Sequence, residues 1–144
     1  MKRNGLCVIL IVFFFSCDNK EEKAFENYRE GLRHLERNQE EKALAAFEKA
    51  IDYDDEQPEY FYHRANIFSN RQEYDKAMDD YRKTLRLDST YYDAWANMGT
   101  TIFYQTGDKE KACPYWIKSH KLGKPNMENK IKHCPDFHPG MINH

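Results

Sequence analysis

The sequence predicts an all-α fold made by repeating one helical hairpin, and three observations carry that prediction. Compared with itself, the chain shows a fixed offset of 34 residues: Ala43, Phe47, Ala50, Ile51 and Asp54 recur as Ala77, Tyr81, Thr84, Leu85 and Asp88. Within each copy the small and apolar residues fall three or four apart, which places them on one face of a helix. The composition agrees, with ten Tyr and nine Phe against six Gly and five Pro, a balance that suits helices packed through large side chains better than a turn-rich β-sandwich.

At 144 residues the chain has room for an export signal and one domain with a single core. Lys2 and Arg3 form a positive start, Leu6 to Phe15 is an unbroken apolar run, and small Ser16 precedes Cys17. Ten helical residues rise about 15 Å, half of the roughly 30 Å hydrocarbon layer, so a cleaved leader over residues 1–16 is expected over a membrane anchor. Phe14-Phe15-Ser16-Cys17 resembles a lipobox, which implies that the Cys17 thiol takes a diacylglycerol and that a short tether, 17–23, follows. An ordinary leader with an incidental Cys and an uncleaved anchor are the alternatives. Asp18-Asn19-Lys20-Glu21-Glu22 is similar to the Lys-acid-acid tag that directs some Gram-negative lipoproteins to the cell surface. Asp after the Cys also resembles an inner-membrane retention signal of other bacteria. An outer-membrane location, with the leaflet open, is the expectation drawn from these resemblances.

The repeats occupy 24–57, 58–91 and 92–124. Gly31, Ala65 and Gly99 are the small residues of successive first helices. The third copy is offset by 35, since Ala77, Tyr81, Thr84 and Leu87 recur as Ala112, Trp116, Ser119 and Leu122, so one residue is added around Tyr104 to Gly107. Asn38-Gln39, Asn70-Arg71-Gln72 and Thr106-Gly107-Asp108 are expected turns inside units. Asp54-Asp55 to Pro58 and Asp88-Ser89-Thr90 join one unit to the next, with Pro58 suited to a helix's first turn. The small residues allow close helix approach and Phe47, Tyr81 and Trp116 fill the space beside them; stacking the three units should make one continuous core.

This pattern, together with Phe61, Ala65 and Phe68 and then Trp95, Met98, Gly99 and Ile102, resembles the tetratricopeptide repeat over about residues 24 to 123. The resemblance implies a right-handed α-solenoid of about three helix-turn-helix units with an inner groove lined by each unit's first helix. Tyr28, Leu32 and Leu35, then Tyr62, Asn66, Ser69 and Asn70, then Ala96, Thr100, Phe103 and Tyr104 would face that groove. Rings and amides together suit a peptide, rings giving contact area and amides pairing with its backbone. Asn66 and Asn97 match two positions of the carboxylate clamp found in part of the family, but Tyr62 stands where that clamp needs Lys, and Glu59 and Asp93 near the groove disfavour an anionic ligand.

Beyond the repeats, Leu122-Gly123 reads as a helix stop with Gly left-handed, Asn126 as the cap of a short helix within 125–134, and 135–144 as irregular tail. Cys7 lies in the leader and Cys17 would be lipidated, which leaves Cys113 and Cys134 in an exported domain. Their midpoint falls at the turn after Leu122, so the two lie level on adjacent helices whether or not their side chains face. A bridge would contribute roughly 3 kcal/mol; two buried free thiols are the alternative. The last unit with a closing Cys is also similar to many bacterial repeat lipoproteins, which implies the bridge. A zinc site from Cys113, His133, Cys134 and His138 lacks paired ligand spacing, and His34, His63, His120 and His144 are scattered, so no metal is expected.

Net charge is −2, and loss of Lys2 and Arg3 would make it about −4, which gives no electrostatic footprint for nucleic acid. There is no G-x-S-x-G, phosphate-cradling loop or H-E-x-x-H, so neither an enzyme nor a cofactor is expected. The acidic residues Asp52, Asp54, Asp55, Glu56, Asp79 and Asp80 sit in turns or on outward faces as solvated charge. By resemblance, the chain is expected to be a membrane-tethered adaptor that binds a protein or peptide partner close to the membrane of the bacterial envelope. The alternative is an accessory subunit of an envelope enzyme or uptake complex.

Overall fold

A computed structural model describes residues 6–137, with side chains described for 19–137. The expected lipidation side chain at Cys17, His138 and His144, and most of the 135–144 tail lie outside the described residues. Seven helices and no strand are present among the described residues: α1 (Leu6–Glu36), α2 (Glu40–Tyr53), α3 (Pro58–Asn70), α4 (Tyr74–Leu87), α5 (Tyr92–Thr106), α6 (Lys109–Lys121) and α7 (Glu128–Ile131). Among the described residues no helix is long and apolar enough to cross a membrane. The segment 17–23, expected as a short tether, continues α1 without a break. No Pro or Gly interrupts the chain between Leu6 and Glu30, so nothing in it stops helix propagation.

Where one core was expected, the chain divides into two compact units, Met1–Tyr60 and Phe61–His144. Contacts in repeat proteins are local, each hairpin closing first on its own partner helix, and this lets a short array separate into more than one compact body.

In the first unit, α1 packs on α2 with Ala43, Ala46, Phe47 and Ala50 buried from the α2 side. Gly31 is the point of closest approach, because a Cβ there would stand 2.5 Å from Cε1 of Phe47. A small cluster of Ala24, Ala50 and Tyr60, with Tyr28 and Ile51 against it, closes the end of the hairpin. Asp54 is spent locally: its carboxylate accepts from the Glu56 backbone N–H at 2.9 Å and from Gln57 Nε2 at 2.9 Å, an Asx-type turn that leads to Pro58.

The second unit holds α3 against α4, α5 against α6, and α4 against α5. Arg64 of α3 makes a two-pronged pair with Asp80 of α4, Nε to Oδ2 at 2.7 Å and Nη2 to Oδ1 at 2.8 Å. Asp80 is therefore not the solvated outward charge that was expected: it is only 7 % exposed, and the planar guanidinium satisfies it. At the far end, Ala96, Ala112, Cys113, Trp116, Ile117, Met127, Ile131 and Cys134 form one core cluster, with Phe137 against it.

The three turns inside the hairpins share one device. Asn38, Gln72 and Gly107, at matching places in the repeats, all have positive φ, of 55°, 62° and 68°. In the first two, the N–H groups of Asn38 and Gln72 bond Leu35 and Ser69, while those of Gln39 and Glu73 reach back to His34 and Phe68, the paired bonds of a Schellman stop. The third is different: Gly107 N–H bonds the Phe103 carbonyl at 2.8 Å, a single-bond left-handed stop. Asp108 then caps α6 by accepting from the Glu110 and Lys111 N–H groups. The change of turn type accommodates the one-residue insertion of the third repeat.

After α6, Gly123 has φ 94°, and the bonds from Gly123 to His120 and from Lys124 to Ser119 complete another Schellman stop. The expected capping helix over 125–134 is corrected to four residues, Glu128–Ile131, preceded by Met127 rather than a capping Asn. Asn126 sits at φ 59°, a left-handed conformation that spends it on the turn, and it makes no side-chain cap. Cys113 and Cys134 are joined by a disulfide with Cα atoms 5.6 Å apart, which fastens this segment to α6.

Candidate functional site

The side chains that resemblance assigns to an inner surface fall in both units, and each unit is described by itself. In the first, Tyr28 is drawn into packing: its ring lies 4.9 Å from Tyr60 and 5.9 Å from Phe47, and burial, with the nearby Glu59 charge, raises its phenol pKa. Leu32 and Leu35 are half-buried on the same helix. Phe25, one turn before Tyr28 and 54 % exposed, is an open ring of this unit, and Arg29 stands over it.

In the second unit α3 and α5 lie side by side and their polar residues interlock. Asn66 Oδ1 accepts from Tyr81 Oη at 2.6 Å and from Asn97 Nδ2 at 2.8 Å. Asn97 Nδ2 also reaches Tyr62 Oη at 3.2 Å, and Ser69 shares a 2.8 Å hydroxyl bond with Thr101. Burial is the main reason the phenol pKa values of Tyr62 and Tyr81 are raised, and it also holds the His63 imidazole below its usual value. The Tyr62 ring lies tilted against Tyr91, centroids 4.9 Å apart, at the start of α5.

A count of donors and acceptors defines what this face can offer. The Asn66 carbonyl oxygen holds two donors, its amide also hydrogen-bonds the Tyr62 phenol, and both Asn97 N–H bonds are engaged, which leaves Asn97 Oδ1 as the amide atom of the pair with no partner among the described residues. Both residues are half-buried. An open amide oxygen of this kind can accept from a backbone N–H of an extended peptide.

Of the other expected groove residues, Asn70 is exposed, Ser69 is tied to Thr101, and Thr100 is half-buried. Phe103 and Tyr104, 37 % and 66 % exposed, form a tilted ring pair at 6.2 Å. Ala96 is a correction: it is 1 % exposed and belongs to the core with Trp116 and Met127, because the segment after α6 folds over it.

Sequence reasoning missed the contribution of that segment. Lys124 pairs with Asp93 and lies 5.6 Å above the Tyr92 ring, so the Asp93 charge weighed against anionic ligands is neutralised. Lys130 Nζ donates to Thr100 Oγ1 at 3.1 Å and lies 5.7 Å above the Trp116 ring. A reading of the segment as one plain helix gave its lysines no direction; the two left-handed residues, Gly123 and Asn126, turn it back along α5. Among the described residues no group of three or more His, Cys, Asp or Glu is arranged to hold a metal ion, and the disulfide occupies both Cys113 and Cys134.

Comparison with known proteins adds four findings. The family model described as tetratricopeptide repeat matches residues 58–91. The chain is similar to Protein bimA of Emericella nidulans, 29% identical over 86 residues that make up 60% of this chain and 10% of that protein. It is also similar to Photosystem I assembly protein Ycf3 of Acaryochloris marina, 28% identical over 99 residues, 67% of this chain and 60% of that one. The chain thus spans from a tenth to three fifths of these relatives' lengths. In fold it is similar to the first TPR of Spaghetti (RPAP3), solved bound to the HSP90 peptide SRMEEVD, with a TM-score of 0.71 and 18% identity over 78% of this chain and 90% of that one.

Proposed function

We propose that this chain, a tetratricopeptide-repeat protein, is a lipid-tethered adaptor that holds a peptide segment of another envelope protein against the α3–α5 face of its second unit. The observation that carries the reading is Asn97 Oδ1, an amide oxygen with no donor among the described residues, on the same helix as the exposed rings of Phe103 and Tyr104. Such a surface has hydrogen-bonding groups for a backbone and flat apolar area for side chains, with no group placed for bond-making or bond-breaking. Spaghetti's bound peptide and the assembly role in the name of Ycf3 support a recognition role over a catalytic one. The lipobox-like run ending in Cys17 supports tethering, and a Cys113 to Cys134 bridge fits an oxidising compartment outside the cytoplasm. An outer-membrane location is part of the same proposal.

The test places a photocrosslinking phenylalanine at Tyr104 of the full chain, and at exposed Glu48 as control, in cells of the source organism. A defined protein adduct from position 104 and not from 48 is expected; no adduct, or equal adducts from both, would overturn the reading. Incorporation of an alkyne-labelled fatty acid that Cys17→Ala abolishes is the expected result for the tether, and label retained in that variant would refute it.

A further inference from the structure

We propose that Lys130 is the seat for an acidic side chain, Asp or Glu, of the peptide held on the α3–α5 face, an assignment that rests on the peptide-binding reading above. The argument is a count of partners. Thr100 Oγ1 is saturated: it donates to the Ala96 carbonyl at 2.9 Å and accepts from Trp116 Nε1 at 3.3 Å and from Lys130 Nζ at 3.1 Å. Lys130 is not. One of its three N–H bonds goes to Thr100, and no carboxylate pairs with it among the described residues.

The ammonium is exposed, with its hydration reduced on the side of the Trp116 ring and no counter-charge beside it. Lys124, an earlier ammonium of the same segment, has Asp93 as its partner, whereas Lys130 shares its surroundings with the Trp116 ring. Desolvation, and after it the charge of Lys124, lower the Lys130 pKa, the response of a cation that is partly stripped of water and has no anion beside it. A ligand carboxylate would take its free N–H bonds as charge-assisted hydrogen bonds and relieve both effects. The apolar part of the same ligand has a floor ready, since the Phe103 ring lies 6.0 Å from Trp116 and is open to solvent.

The position of this lysine depends on the segment after α6. Four residues beyond Lys130, Cys134 bonds Cys113 of α6, and Ile131 is fully buried in the cluster that holds Trp116. The ammonium is therefore held beside α5 by a covalent tie and a packed neighbour.

Selection of a phage-displayed library of random dodecamers on the oxidised full chain tests the proposal, with Lys130→Met and Lys130→Arg run in parallel. Lys130 is on the surface, and coincident thermal melts check that the variants fold. Enriched peptides should share an acidic position on the wild type, lose that preference on Lys130→Met and keep it on Lys130→Arg. Affinity of a selected peptide should drop about tenfold with the Met variant, the scale of one charged hydrogen bond. Peptides enriched without an acidic position, or with one that Lys130→Met leaves intact, would overturn the proposal while leaving peptide binding in place. If no peptide is enriched at all, both fail.

Discussion

Gly99 of α5 faces the Trp116 indole of α6 so closely that a Cβ would stand 2.7 Å from Cδ1 and Nε1 and 3.0 Å from the Ala112 carbonyl oxygen. Gly31 and Phe47 make the same contact in the first unit, at 2.5 Å. The intervening repeat has Ala65 at that place and Tyr81 as the aromatic, so the size of one residue is set against the position of the other. Ala is a better helix former than Gly by about 1 kcal/mol, but overpacking a close contact costs about 1–3 kcal/mol. Gly99→Ala should therefore lower stability by up to about 2 kcal/mol in urea titration, the overpacking less the gain in helix propensity. The loss should largely disappear in a Trp116→Leu background; an equal loss there would place the strain elsewhere.

The left-handed turn residues give an ordered pair of predictions. Gln72 has a β-carbon and no short polar group to ease φ 62°, whereas Asn tolerates this conformation better. Gln72→Gly should stabilise the protein by about 0.5–1 kcal/mol, while Asn38→Gly should change it by only a few tenths. Thermal melts of the two variants would test the ranking, and a larger gain at Asn38 would contradict it.

Closing the loop from Cys113 to Cys134 should contribute about 3 kcal/mol through the unfolded chain. Replacing both with Ser should cost about that much in denaturant titration and expose the cluster around Trp116, seen as a red shift in its fluorescence. Thiol counting on the denatured protein, before and after reductant, should show two additional thiols from this pair. Equal counts would mean the bridge does not form.

Buried phenols predict the response to alkali. Burial, then the charges of Asp54 and Glu59 and the neighbouring Tyr28, push Tyr60 up to about 12, and burial raises Tyr81 in the same direction. Each phenol holds its proton more tightly in the folded chain than in the unfolded one, where loss occurs near pH 10. The native state binds more protons in that interval, so the stabilisation is complete below about pH 10 and is lost as pH rises toward 12. Absorbance titration at 295 nm should show a late tyrosinate fraction that shifts to the ordinary range in urea. Ionisation of all the tyrosines near pH 10 in the native protein would refute this.

How much of this was legible in the sequence depends on the range of each interaction. The hairpins could be read because a helix repeats its face every three or four residues and the array repeats its hairpin at a constant offset. Both signals are properties of the chain in one dimension. The contacts of Gly31 with Phe47 and of Gly99 with Trp116 follow the same periodicity, as do the places of Asn38, Gln72 and Gly107, and so the turns fall where they were expected. The insertion could be seen as an offset of 35, but the change from paired to single-bond helix stop that absorbs it could not.

Sequence alone therefore determined the paired helices of the repeats, their turns, and which small residue meets which ring, but neither the helical course of 17–23 nor the length of the last helix. Tertiary structure decided which polar atoms remain available: that Tyr81 and Asn97 use up the carbonyl oxygen of Asn66, that Ala96 is roofed over, and that Lys130 is brought to Thr100. The physical reason is that a hydrogen bond joins residues 15 to 35 positions apart only if both side chains reach one point in space. After Leu122 the repeat period is lost, and the direction of each lysine there is set by packing and a disulfide, for which periodicity carries no signal.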